Sequence, residues 1–480
     1  MFCPAIAGQN TLLFLNNKAV LGEGNEKLLL LLYKGEGIVL KKLSFKGGVH
    51  PNDHKENTAT KNIEILTPPS ELVFPVQQHI GAPCAPCVAV GDYVRMGQKI
   101  ADSDAFVSAP IHSSVSGTVK AIKSYPVPNG TMVESIVIEN DFTDTLDDSI
   151  TGIDYTSVKP DDIPSIVREA GVVGMGGATF PTHVKLMPPP DKVIDTVIVN
   201  GAECEPYITS DHRVMLETPD EVVLGLKIIL YRFGITNGHI AIEENKPDAI
   251  EVMRRKCASE GITVDVLKKK YPQGSEKHLI YAVTKRAVPT GKLPADAGVV
   301  VVNVDTCCAI ARKFKYGTPL MRRIVTLAGT PLKKNANYNV RIGTPVDYII
   351  EQSGGFIDTP KKVILGGPMM GVAQFRLDIP VIKGTSAILC LNEKEAQIPP
   401  EEPCIRCGKC VSHCPMKLMP LYLHEFAKKG DMDSCEKYNV TSCVECGCCS
   451  YGCPSKRNLL QDIRVAKQNV MAIMRERTQK

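Results

Sequence analysis

Between residues 44 and 150 the apolar positions fall in short alternating stretches broken by turns, as in Val88 to Ile100 (V-A-V-G-D-Y-V-R-M-G-Q-K-I) and Ala109 to Val119 (A-P-I-H-S-S-V-S-G-T-V). That texture predicts many short strands. From 151 to 315 it changes: Thr196 to Asn200 and His239 to Glu243 read as strands, while Asp220 to Phe233 and Pro247 to Ser259 carry the spacing of amphipathic helices. Their alternation predicts an α/β domain with parallel pairing. Residues 316–398, with V-T-L-A-G-T-P and N-V-R-I-G-T-P-V-D-Y-I-I-E, return to a small α+β pattern, and 399–480 hold cysteine runs with helical segments between and after them. Residues 1–43 match none of this. Lys34-Gly35-Glu36-Gly37 before Val39 reads as a translated purine-rich ribosome-binding site, which puts the expected native start at Val39; the alternative is a short native extension.

At 480 residues the chain is too long for one ordinary core, so the expectation is multidomain. Lys plus Arg number 56 against 52 Asp plus Glu, and the resulting net charge of +4 is too small for its size to attract nucleic acid. The leucine stretch Lys27 to Tyr33 falls short of a membrane span and no secretory signal precedes it. The expected place is cytoplasmic.

More than half of the 18 cysteines lie between Cys404 and Cys453, at metal-ligand rather than disulfide spacing. Cys404-x₂-Cys407-x₂-Cys410-x₃-Cys414-Pro415 repeats as Cys443-x₂-Cys446-x₂-Cys449-x₃-Cys453-Pro454. This is the spacing of bacterial two-cluster ferredoxins, in which the fourth cysteine of each run ligates the other cluster. One [4Fe–4S] cluster is therefore assigned to Cys404, Cys407, Cys410 and Cys453, the other to Cys443, Cys446, Cys449 and Cys414. Zinc is the competing reading, but its four-thiolate sites use two separated pairs. Cys435, Cys448 and His413 fall outside the pattern and read as packing neighbours, and Cys84-x₂-Cys87 as a loop with incidental thiols.

Gly171-Val-Val-Gly174-Met175-Gly176-Gly177-Ala178-Thr179-Phe180-Pro181-Thr182-His183-Val184-Lys185 is a glycine-rich loop followed by a cation. Glycines admit the close approach of a ring or a phosphate, and Lys185 could neutralise phosphate charge. Alone this is a weak motif. Three further segments join it at predicted strand ends, where open α/β sheets bind ligands: Asn200-Gly201-Ala202-Glu203-Cys204-Glu205-Pro206, Tyr271-Pro272-Gln273-Gly274-Ser275-Glu276-Lys277 and Val302-Asn303-Val304-Asp305-Thr306.

Together they resemble the NADH-oxidising flavoprotein subunit of respiratory complex I, through its G-x-G-G-A-x-F-P-T-x-x-K loop and N-A-D-E-x-E-P segment. With S-F-K-G-G-V-H-P at Ser44 to Pro51 and H-I-G-A-P-C at His79 to Cys84, residues 44–480 are similar to the RnfC family of Rnf ion-translocating ferredoxin:NAD oxidoreductases. Residues 44–150 resemble a biotinyl/lipoyl-type barrel-sandwich, although Asp104 to Ser108 at its hairpin tip offers no lysine for carrier chemistry, and 316–398 resemble a β-grasp SLBB module. The resemblance implies that Gly174, Gly176, Gly177, Lys185, Asn200, Gly274 and Asn303 hold FMN non-covalently, with Glu203 near it. Phe180, Glu205 and Glu276 would meet NAD(H), and a capping or solvated role is the plain alternative for the three glutamates. It further implies a Rossmann-like flavin domain, a helical ferredoxin-like C-terminal domain, and peripheral attachment at the cytoplasmic side of the membrane. Membrane subunits and an iron–sulfur subunit would be direct partners, and ferredoxin an indirect one. Met175 replaces an arginine, Ala202 an aspartate, and Leu186-Met187-Pro188 an aromatic. Two alternatives stay open: a related soluble reductase of the same modules serving a cobalamin or amino-acid reductase system, and, supported by positions 175 and 202 alone, an iron–sulfur conduit with a vestigial nucleotide site.

Overall fold

The computed structural model describes residues 42–479; Lys27 to Tyr33, Lys34 to Gly37 and the expected start at Val39 lie outside them. The first described stretch is shared between domains rather than folded into the barrel. Leu43 pairs with the strand end at Val266 and Lys268 (2.9 Å each), Val49 exchanges hydrogen bonds with Tyr271, and Gly48 N–H donates to His413 O at 2.8 Å. Strand β1 (Ile63–Ile65) then joins a sheet otherwise built by residues 322–391.

The barrel-sandwich consists of β2 (Glu71–Pro75), β3 (Ala85–Pro86), β4 (Tyr93–Val94), β5 (Lys99–Asp102), β6 (Ile111–His112), β7 (Gly117–Pro126) and β8 (Met132–Asn140). They form two antiparallel sheets, ordered β2-β8-β7-β4 and β3-β5-β6. Leu72, Phe74, Ile100, Ile111, Ile136 and Ile138 fill the space between.

In the α/β domain β9 (Thr196–Gly201), β10 (Gly238–Glu243), β11 (Thr263–Leu267) and β12 (Val299–Asn303) make a four-stranded parallel sheet in the order β11-β10-β9-β12. The expected strands and parallel pairing are present. Val197, Ile198 and Val199 are all buried, because helices cover both faces. The expected helices run Pro219–Phe233 and Pro247–Cys257. The first starts with Pro219 and acidic Asp220 and Glu221 and stops at Gly234 in the left-handed conformation, so both ends carry conventional signals. It crosses helix Val304–Tyr316 so closely that a Cβ on Gly225 would lie 2.1 Å from Cys307 O.

The next module adds β13 (Arg322–Ala328), β14 (Ala336–Arg341), β15 (Lys362–Leu365), β16 (Val372–Gln374) and β17 (Ala387–Leu391) in a six-stranded mixed sheet ordered β1-β14-β13-β17-β15-β16. The C-terminal part is helical, with Pro420–Lys428, Met432–Lys437 and Leu459–Gln479 packed around Leu423, Val440, Ile463 and Val470. Cys435 is buried in that core, as its position outside the repeat suggests.

Candidate functional site

Strands β9 and β12 are neighbours at the point where the strand order reverses, the chain running from β9 to β10 and β11 on one side and returning to place β12 on the other, and Asn200 and Asn303 face each other in register at their carboxyl ends. This is the crevice where open parallel sheets receive ligands. Asn200 Nδ2 donates to Gly274 O at 2.8 Å while its Oδ1 accepts from Ala202 N–H, so the side chain ties two of the predicted segments together. Asn303 Oδ1 caps helix Val304–Tyr316 through Asp305 and Thr306 N–H. Its Nδ2 donates to Asp211 Oδ2 at 2.7 Å.

The glycine-rich loop lies over this pair. A Cβ on Gly176 would come within 3.2 Å of Asn303 Nδ2, whereas one on Gly177, at φ +78, would meet nothing within 4 Å. Gly174 N–H donates to Phe180 O at 2.8 Å and closes the loop. The short helix Thr182–Lys185 presents Lys185, whose Nζ meets Glu276 Oε1 at 2.7 Å and Val301 O at 3.1 Å. Both side chains of this pair are partly exposed, open to a ligand phosphate. The structure thus brings Gly176, Lys185, Asn200, Gly274, Glu276 and Asn303 together.

The other two glutamates are placed differently. Glu203, at φ +48, accepts from Asp211 N–H (2.6 Å) and His212 N–H (3.3 Å) at the start of helix Ser210–Glu217, and buried Lys55 lies 3.6 Å away. Its carboxylate is a helix cap, the plainer of the two roles open to it. Glu205 accepts from Met369 N–H at 3.1 Å, in the turn after β15, and its Oε1 has no partner. Burial pushes its pKa up to about 7. Asp211, which sequence reasoning missed, is also pushed up to about 7, first by burial and then by Glu203 and Asp305. Only its place eleven residues after Asn200 marks it, and that carries no signal.

Cys414, Cys443, Cys446 and Cys449 line one apolar cavity with Leu418, Leu423, Leu460 and Ile463. They surround a void rather than converge: among the described residues no three His, Cys, Asp or Glu side chains are grouped as for a single metal ion. Burial pushes the Cys443 thiol up to about 11 and Cys449 up to about 12. Leu418 N–H points at Cys414 Sγ (3.3 Å) and Glu445 N–H at Cys443 Sγ (3.4 Å). Of the other four, Cys410 is near enough to Cys453 and Cys404 to feel their charges, and Cys404 and Cys407 are exposed. Cys414, the fourth cysteine of the first run, thus sits with the second run's triplet, and Cys453 lies near Cys410 of the first.

Cys448 also lines this cavity and is buried on the side of the strand-end crevice, its Sγ 3.8 Å from Tyr271 O, in a layer with Val49, Cys446, Met369 and Cys204. Gly274 N–H in turn points at Cys204 Sγ at 3.4 Å. One layer of side chains therefore separates the strand-end crevice from the buried cysteine group. Cys84 is buried against Ala109 O and Cys87 is exposed, both as free thiols.

Residues 167–312 match the family model of the Nuo51 FMN-binding domain, 43–143 that of the RnfC barrel sandwich hybrid domain, and 324–373 that of the SLBB domain. The chain is 49% identical over 435 residues to the RnfC-type subunit of the Na(+)-translocating ferredoxin:NAD(+) oxidoreductase complex of Acetobacterium woodii, covering 90% of this chain and 98% of that one. It is 50% identical over 428 residues to the corresponding subunit of the proton-translocating ferredoxin:NAD(+) oxidoreductase complex of Clostridium ljungdahlii, covering 88% and 93%. A solved NAD+-reducing [NiFe]-hydrogenase in the H2-reduced state aligns with TM-score 0.47 at 17% identity, over 65% of this chain and 63% of that one.

Proposed function

Because the chain belongs to the RnfC family of ion-translocating ferredoxin:NAD(+) oxidoreductase complexes, we propose that it moves electrons between NAD(H), one non-covalently bound FMN and two [4Fe–4S] clusters. A flavin exchanges two electrons with a nicotinamide and one at a time with clusters, the conversion such a chain requires. The observation that carries the reading is the crevice at Asn200 and Asn303, roofed by Gly174 to Gly177 and flanked by the Lys185–Glu276 pair, one side-chain layer from the cavity lined by Cys414, Cys443, Cys446 and Cys449 together with Cys448.

Each residue then has a task. Gly176 and Gly177 leave room for a ring, Asn200 and Asn303 fix the crevice floor, and Lys185 exchanges Glu276 for a phosphate. Phe180 and Glu276, at the half-open rim, orient the nicotinamide nucleotide. Cys404, Cys407, Cys410 and Cys453 hold the outer cluster, and Cys414, Cys443, Cys446 and Cys449 the inner one. The departures from complex I do not argue for a vestigial site, since Met175 and Ala202 are 2% and 0% exposed and pack inward. No helix of the described residues is long and apolar enough to cross a membrane, and the chain acts as a peripheral subunit at the cytoplasmic side, docked on membrane-embedded and iron–sulfur partners.

The test is anaerobic reconstitution of the full chain, with iron and flavin counted and absorbance followed as NADH is added. About eight irons, one FMN and bleaching of the flavin band are expected. A full iron complement with neither bound flavin nor bleaching would overturn the reading.

A further inference from the structure

The glycine-rich loop is held from outside its own domain. Three anchor points recur every four residues, at Gly171, Met175 and Thr179, and all three are met by residues from β13 and from the segment just before β17. Lys383 is fully buried, and its Nζ donates to Gly171 O at 2.8 Å and to Pro110 O of the barrel at 2.6 Å. Gly384 follows, packed so closely that a Cβ there would lie 2.4 Å from Thr179 Oγ1. The O atom of Thr385 accepts from Arg323 Nε at 3.2 Å, and Arg323 Nη2 donates to Met175 O at 3.1 Å. Arg323 is itself buried and paired with Asp305, in the first turn of the helix that Asn303 caps. Met175 N–H is held from the other side by Thr306 Oγ1 at 2.9 Å.

Between the anchors stand Gly174, Gly176 and Gly177, the positions left without side chains. A loop of this composition has much backbone freedom to lose when a ligand orders it. Hydrogen bonds from the buried Lys383 and Arg323 side chains to its carbonyls remove that freedom beforehand, which lowers the ordering cost of binding.

We propose that Lys383 and Arg323 are positioning residues for the flavin site, holding the glycine-rich loop in its binding conformation from the neighbouring module. The inference rests on the flavin reading above and extends it to residues outside the α/β domain. Because Lys383 grips Pro110 and Gly171 together, flavin affinity also depends on how the barrel is seated.

The test uses the iron-loaded full chain and FMN itself as probe. Lys383→Met and Arg323→Lys are each expected to weaken FMN binding by about tenfold to a hundredfold, the loss typical of leaving a buried hydrogen-bond acceptor unsatisfied, with iron content unchanged. Either variant retaining both its iron and wild-type FMN affinity would overturn the proposal. A second measurement needs no variant: amide exchange across residues 172–180 of the unmodified chain before FMN is added. Protection already present supports the clamp, whereas protection gained only with FMN overturns it. If the unmodified chain takes up no FMN, the flavin reading falls, and the exchange result still judges the clamp.

Discussion

The two cysteine runs share a backbone and differ in what covers it. Arg406 and Glu445 occupy the same place in their runs at φ +53 and +55, Gly408 and Gly447 at +73 and +77, and Lys417 and Lys456 at +56 and +52. Yet Cys404 and Cys407 are exposed, while Cys446 is buried beneath Tyr271, Met369 and the segment carrying Val49, and Cys449 within the helical core around Leu423 and Ile463. A repeat therefore sets how four thiolates are arranged, and elements far away in sequence set which group faces solvent. On the two-cluster reading, the inner group exchanges electrons with the flavin crevice and the outer group with a partner.

The largest effect expected from this difference follows Cys446→Ala. It should cost about half the iron and abolish reduction of the outer cluster by NADH, with flavin bleaching intact. Cys404→Ala should cost the same iron but leave the inner cluster reducible by NADH. Rapid-freeze paramagnetic resonance separates the two, and equal behaviour of both variants would break the inner and outer assignment. Next in size, a chelator or brief exposure to air should remove iron in two phases, the first about half of it and lost from Cys404-side variants. A single phase would mean that the cover does not protect the inner group.

The cover itself titrates. Glu205 reaches Met369 with one oxygen and leaves the other unpartnered, and burial raises its pKa from 4.5 to about 7. A carboxyl whose folded pKa is raised favours folding most below its unfolded pKa, and that contribution disappears as pH rises through 7. A rise from 4.5 to about 7, at ~1.4 kcal/mol for each tenfold change in proton affinity, makes it on the order of 3 kcal/mol. Glu205→Gln should therefore flatten the fall in stability between pH 5 and 8 by an amount of that order, read from denaturant melts. Asp211, raised for the same reason, keeps its own share of the slope. An unchanged slope in Glu205→Gln would show that this carboxyl is solvated.

What could be read from the sequence was local. Cysteine ligation has fixed valence and spacing, so the expectation that Cys414 lies with the second run could be drawn from eight positions, and the shared cavity has it there. The strands β9 and β10 were legible because burial on both faces leaves an apolar run. Glu203 shows the limit: its segment marked a strand end, but its role as a helix cap depends on Asp211 and His212 folding back beneath it. Lys383 and Arg323 lie far along the chain from the loop they hold and had no periodicity to betray them. The same holds for residues 44–65, which sequence reasoning assigns to the barrel domain yet which are divided among the α/β domain, the cysteine domain and β1. Long-range packing decided each of these.

The smallest expected effect is the most discriminating about environment. Glu445 accepts from Arg464 and from Lys467 at 2.8 Å each, and Lys467 also donates to Cys443 O. Its counterpart in the first run is Arg406, exposed in the same left-handed turn. Removing either charge should cost no more than about 1 kcal/mol of stability, as for ion pairs open to solvent. Their electrostatic effects should differ in sign and in range. Glu445→Gln leaves extra positive charge beside the inner group and should raise its reduction potential, by a few tens of millivolts for one charge at a partly buried site. Arg406→Gln removes positive charge beside the outer group and should lower its potential by less, because water and ions screen that site. Potentiometric titrations at low and high salt provide the check. The outer shift should shrink as salt rises and the inner one persist, and equal salt sensitivity would mean that both groups see the same solvent despite the cover over one of them.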